Sequence, residues 1–122
     1  MSTDQNKAEP FGPLTPAMFH VLLALAGEDL HGYAILKEVE LRTGGKVRLS
    51  TGTLYGIIKR LLGDGLIAEL RTRPAESEDD ERRRYYRLTP KGRHVAATEA
   101  ERMDEILSVA RSRNLLKKAR LA

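Results

Sequence analysis

A chain of 122 residues without a cysteine has room for one modest core and no disulfide or thiolate chemistry, the usage expected in a reducing compartment. Hydrophobic residues at 41% and charged residues at 31% fit a folded domain with a highly polar surface, and a formal net charge of +4 favours an anionic partner. No apolar run nears the roughly 18 residues of a transmembrane helix, and the N-terminus lacks the basic-then-apolar order of a secretory signal, so a cytoplasmic location away from membranes is expected.

Residues 1–13, MSTDQNKAEPFGP, are polar, carry Pro10, Gly12 and Pro13, and have no periodicity, which predicts a mobile tail. Thr15-Pro16 supplies a hydroxyl N-cap followed by proline at the first helical position. Met18, Val21, Leu22 and Leu25 then recur on one face with Phe19, Leu23 and Ala26 beside them, predicting a largely buried first helix that Gly27 ends. A second helix opens at His31-Gly32-Tyr33, carries Ile35, Leu36 and Val39 inward, and stops at Thr43-Gly44-Gly45. The alternation over 46–49 predicts a single β-bridge or an extended connector.

The segment 50–67, STGTLYGIIKRLLGDGLI, organises the chain. Leu54, Ile57, Ile58, Leu61 and Leu62 fall on one helical face and read as core. The opposite face carries Gly52, Gly56, Lys59 and Gly63, flanked by Thr53 and Arg60 on one side and Tyr55 on the other. Each glycine costs about 1 kcal/mol relative to alanine inside a helix. A solvent face that retains three of them, with cations and hydroxyls, suits a helix laid into the DNA major groove; the plainer reading is a surface helix of poor propensity.

After the Asp64-Gly65 turn, residues 66–70 and 85–88 read as two strands joined by the charged run RTRPAESEDDERRR. Arg71, Arg73, Arg82, Arg83, Arg84 and Arg87 lie on or near these strands, and Glu76, Glu78, Asp79, Asp80 and Glu81 gather at the tip, where they read as a solvated loop without the ligand spacing of a calcium site. Thr89-Pro90 repeats the cap-and-proline start. The last helix then carries Val95, Ala96, Ala100, Met103, Ile106, Leu107 and Ala110 in a stripe. At about 36 Å it is longer than a small domain needs, so the stripe should be buried against another chain.

The fold predicted is mainly α with a small β component: a winged helix-turn-helix over 14–89, a C-terminal dimerisation helix over 90–115 and a basic tail over 116–122. DNA contacts are expected from Tyr33, Thr51, Thr53, Tyr55, Lys59, Arg60, Arg82, Arg83 and Arg84, and dimer contacts from Val95, Ala100, Met103, Ile106, Leu107 and Ala110. For Tyr33 and Tyr55 a packing role is the competing reading, and for Thr51 a role shared with Ser50 in capping the helix. Enzyme chemistry has no support. His20, His31 and His94 lack ligand-spaced neighbours, no serine sits in an elbow motif, and the glycines of 51–56 lack the Gly-Lys-[Ser/Thr] of a phosphate loop, so no catalytic residue, metal or cofactor is expected. The alternative function is a winged-helix module that binds protein, which should expose large apolar residues on the third helix and wing.

Three segments together carry a resemblance: HGYAILKEVE at 31–40, STGTLYGIIKRLLGDGLI at 50–67 and RRRYYRLTPKG at 82–92. In this order and spacing the chain, from about residue 14 to residue 110, resembles the PadR-type transcriptional regulators, in a short-tailed form with one C-terminal helix. The resemblance implies a homodimeric winged-helix repressor of double-stranded DNA, responsive to a small aromatic effector. It assigns His31 and Tyr33 to the second-helix motif, Thr53, Leu54 and Tyr55 to the recognition helix, and Arg83, Arg84, Tyr85 and Tyr86 to the wing.

Overall fold

The structure, a computed structural model, describes residues 14–70 and 84–117. Its elements are helix α1 (Pro16–Gly27), strand β1 (Leu30–His31), helices α2 (Gly32–Arg42) and α3 (Thr51–Gly63), strands β2 (Ile67–Leu70) and β3 (Tyr85–Leu88), and helix α4 (Pro90–Ser112). Each helix starts on a side-chain cap that satisfies an otherwise orphaned amide. Thr15 Oγ1 accepts from the Met18 N–H at 3.1 Å, His31 Nδ1 from Ala34 at 3.2 Å, Ser50 Oγ from Thr53 at 3.0 Å and Thr89 Oγ1 from Gly92 at 2.9 Å.

The three strands form an antiparallel sheet in the order β1-β3-β2. Ile67 pairs with Leu88 and Leu70 with Tyr85 along the hairpin, while Leu30 pairs with Tyr86 and His31 with Tyr85 on the other edge. The third strand is therefore residues 30–31. Residues 46–49, where a β-bridge was one expectation, take part in no strand pairing and form a connector. A two-residue strand that also caps a helix shows no period-2 pattern, so nothing in the sequence marks it. The charged loop, with Arg71, Arg73, Arg82, Arg83 and the acids of 76–81, lies outside the described residues, as does the predicted N-terminal tail.

One core joins all the elements. Val21 and Leu22 of α1, Ile35 and Val39 of α2, Leu54 and Leu61 of α3, and Leu66 are fully buried, with Ile58, Ile67, Tyr86 and Ala96 closing around them. Ile57 and Leu62, predicted as core, are half-buried at its edge. The second helix stops where Thr43 turns its hydroxyl onto the Val39 carbonyl at 2.8 Å and accepts from the Val47 amide at 3.0 Å. Gly44 and Gly45 follow at φ of 64° and 83°, a left-handed pair that returns the chain toward α3.

The end of α3 is fastened to the start of α4. Thr89 donates its amide to the Leu66 carbonyl at 3.1 Å and its hydroxyl to the Gly65 carbonyl at 2.7 Å, and Lys91 Nζ donates to the Asp64 carbonyl at 3.0 Å. Gly92 sits so close that an added Cβ would overlap the Leu66 carbonyl oxygen and lie 2.9 Å from its carbon. The first half of α4 packs on α1 and β3 through Val95, Ala96 and Met103, and the second half extends past this body. No helix among the described residues is long and apolar enough to cross a membrane.

Candidate nucleic-acid interface

Helix α3 turns Leu54, Ile58 and Leu61 into the core and leaves Thr51, Gly52, Thr53, Tyr55, Gly56, Lys59 and Gly63 exposed. A Cβ built on Gly52, Gly56 or Gly63 would meet nothing within 4 Å. Packing among the described residues therefore does not explain these glycines. They leave a flat strip of backbone along the outer face, with Lys59 beside it. At the N-terminal end the Ser50 hydroxyl donates to Thr53 Oγ1 at 2.9 Å while accepting the Thr53 amide, so the cap is closed and the Thr53 hydroxyl keeps its own hydrogen to donate outward. The free first-turn amides and the helix dipole make this end electropositive.

Tyr55 is shared between two roles. It is 47% exposed, yet its hydroxyl lies over Gly32, where any Cβ would collide with it and with Cζ at 2.8 Å. On its inner side it neighbours Tyr86, whose phenol is pushed above its ordinary value first by burial, then by Glu69 and Tyr55, with Arg84 opposing. Tyr55 thus braces α3 against the first turn of α2 and against β3. His31 continues this junction, its ring meeting Tyr85 edge-on at 5.2 Å.

The remaining expected contacts are dispersed around this face. Tyr33, 60% exposed on α2, has Lys37 Nζ 5.8 Å from its ring centroid. Arg60 leans back to Asp64 at 3.5 Å, within its own helix end. Arg84, at the root of the wing, stands 3.7 Å from Glu69 across the hairpin and stays largely exposed. Arg82 and Arg83 lie outside the described residues. Arg87 points elsewhere: its guanidinium grips Asp29 at 2.9 Å and ties β3 to the α1–β1 loop, an ion pair that raises its pKa. Cations on the wing strands therefore divide into one that locks the sheet and one left at the surface.

A model of the PadR-like family of transcriptional regulators matches residues 21–98, which spans α1 to the first third of α4. A transcriptional regulator of Mycobacterium tuberculosis is 35% identical over 88 residues, covering 71% of this chain and 75% of that protein. The chain belongs to the PadR-like family. An uncharacterized 37.1 kDa protein in a transposon of Streptomyces fradiae is 40% identical over 87 residues, covering 71% of this chain but 23% of that protein, so the chain spans about a quarter of that relative. A crystal structure of a PadR family transcription regulator from Clostridium difficile superposes with a TM-score of 0.65 at 26% identity, over 78% of this chain and 94% of that one. PadR-like proteins are regulators rather than enzymes, and the winged-helix fold agrees with that assignment.

In this PadR-like chain, the structure adds to the candidate face the connector before α3, which sequence reasoning had not included. Arg48 is 73% exposed two residues before the Ser50 cap, held only at 3.6 Å from Glu40, with Lys46 exposed beside it. The signal was present as two cations just ahead of a capped helix, within a segment read as a single β-bridge or an extended connector.

Proposed function

We propose that the protein is a homodimeric repressor that binds a pseudo-palindromic operator through α3 and the wing. The observation that carries this reading is the open, glycine-lined strip of α3, which costs helix stability and is not required by any contact among the described residues. A nearby phosphate backbone or base edge is the partner for which such a strip is useful. Lys59, Thr51 and Thr53 on that face, Arg84 and the undescribed Arg82 and Arg83 of the wing, Tyr33 on α2, and the Arg48 connector would supply phosphate and base contacts. Arg60 would join them by exchanging Asp64 for phosphate. Tyr55 would act chiefly by bracing α3.

The dimer is supported by α4, where Ile106 is 53% and Leu107 42% exposed and Ala100 is also uncovered. Val95 and Met103 are half-covered by their own chain, so the stripe passes from intrachain core to open surface along its length. Helix α1 adds Leu23, apolar and exposed at its outer side. Two recognition helices would then enter major grooves about 34 Å apart. Repression would follow from occupancy of promoter DNA, and a small aromatic effector would release it by favouring a different angle between the winged domains. The protein-binding alternative loses weight because, among the described residues of α3 and the wing, Tyr55 is the one large apolar side chain that is exposed.

The test is retention of genomic fragments at low and moderate salt. Selective retention of fragments bearing an inverted repeat is expected, with affinity falling steeply as salt rises. Uniform weak binding that vanishes at moderate salt would remove the operator reading. Lys59→Ala combined with Arg84→Ala should weaken binding and flatten the salt slope by about one per substituted phosphate contact.

A further inference from the structure

The charges beside the open stripe of α4 indicate how a second copy would lie on it. With Leu107 as origin and about 100° per residue, Ala100, Asp104 and Arg111 fall within about 60° of it on one flank. Asp104 and Arg111 are two turns apart, roughly 10 Å, too far to pair along their own helix. Neither side chain forms an ion pair or hydrogen bond among the described residues, and neither do those of Glu101 and Glu105. Glu101 has Asp104 and Glu105 at i+3 and i+4, the spacing at which like charges repel. These acids surround a shallow depression floored by Ala100. On the other flank, Glu99 is already satisfied by Arg102 through a two-point contact, which holds its carboxyl below the ordinary range. Among the described residues, one side of the stripe is neutralised within the chain and the other is not.

We infer that the second copy lies antiparallel along this flank with the two-fold axis beside Leu107, so that Asp104 of each chain meets the partner's Arg111. This rests on the dimer reading above and adds to it an orientation and a register. In an antiparallel pair related by a two-fold axis, each flank meets itself in reverse, and Asp104 and Arg111 are equidistant from a point between residues 107 and 108. The same midpoint sets Ala100 near the end of the partner's helix, beyond which Leu115, a large exposed side chain, follows the left-handed Asn114. Leu115 has the size to enter the depression over Ala100. A parallel pair would instead set this flank against the partner's other flank, where Glu99 is already held by Arg102. The ion pairs sit at the margin of an apolar contact, where partial burial strengthens them relative to fully exposed pairs.

Charge inversion tests the register. Asp104→Arg and Arg111→Asp each place like charges at both symmetry-related sites, so each should weaken dimerisation by about tenfold or more in sedimentation equilibrium. The double variant should recover to within about threefold of the wild type, and the two single variants mixed together should associate with each other in preference to themselves. The chain has no cysteine, so Asp104→Cys mixed with Arg111→Cys should cross-link between the two variants under mild oxidation. If the wild type dimerises and the inversions leave its affinity unchanged, or the double variant is not restored, the register is wrong and the dimer stands. Self-cross-linking of Asp104→Cys in place of the mixed product overturns the antiparallel orientation. A wild type that is monomeric at micromolar concentration overturns both.

Discussion

Gly92 and Gly56 are the same residue type put to opposite uses, and substitution separates them. At Gly92 the α4 backbone lies against the Leu66 carbonyl, so even a methyl group must displace main chain on one side or the other. Gly92→Ala should cost about 3 kcal/mol and lower the unfolding midpoint in urea without altering which surface binds DNA. At Gly56 the space is open, and Gly56→Ala should stabilise the fold by about 1 kcal/mol, raising Tm by about 4 °C. The same substitution should weaken operator binding, because the methyl stands on the strip that DNA would approach. A variant that is more stable and binds as tightly as before would show that the glycines serve no close contact. Tyr86 adds a dependence on pH. Its phenol has a pKa above the ordinary value of 10.0, so the folded state holds that proton more tightly than the unfolded state does. The resulting stability is fully present below pH 10 and is lost as the pH rises through the folded value. Denaturant titrations of Tyr86→Phe against the wild type should therefore show a shallower loss of stability above about pH 10.

At the scale of elements, the helices were legible because each carries its own start and stop signals. Thr15-Pro16 and Thr89-Pro90 mark the observed starts, Ser50 caps α3, and the apolar spacing of Leu54, Ile58 and Leu61 identifies the buried face. Strand β3 was legible as Tyr85–Leu88, and β2 within one residue. Strand β1 was not, because its pairing depends on Tyr85 and Tyr86 more than fifty residues away and two residues carry no periodicity. Within the candidate site, sequence supplies the face of Lys59 and the glycines but not the divided roles of the arginines. Nothing local distinguishes Arg87, committed to Asp29, from Arg84, left near the surface, because the choice is made by an acid in a distant loop. Tyr55 shows the same limit: its helical phase is readable, whereas its contact with Gly32 exists only once α2 and α3 cross. The Asp29–Arg87 clamp also has a measurable consequence. It secures the wing strand to the α1–β1 loop, so Asp29→Asn should increase amide exchange in β1 and β3 more than in α3.

Across the whole molecule, the unequal packing of α4 would connect the proposed assembly to the proposed DNA reading. Its first half is held by Gly92, Ala96 and the hydrogen bonds from Thr89 and Lys91 to the end of α3, so any reorientation of α4 is passed to α3. From residue 104 onward its side chains are exposed apart from the half-covered Ala110, and a helical stretch of that length has little stability of its own. The second half should therefore be helical because a second chain covers it. Ile106→Glu combined with Leu107→Glu would place charge in the stripe without touching the intrachain core. The expected outcome is a monomer in sedimentation, with loss of the helical circular dichroism that belongs to about two turns per chain. Binding to a full operator should fall to the level of a single half-site, while the winged domain keeps its urea midpoint. A monomer that retains its full helical signal would mean that α4 is stable alone, and the coupling between assembly and helix order would have to be abandoned.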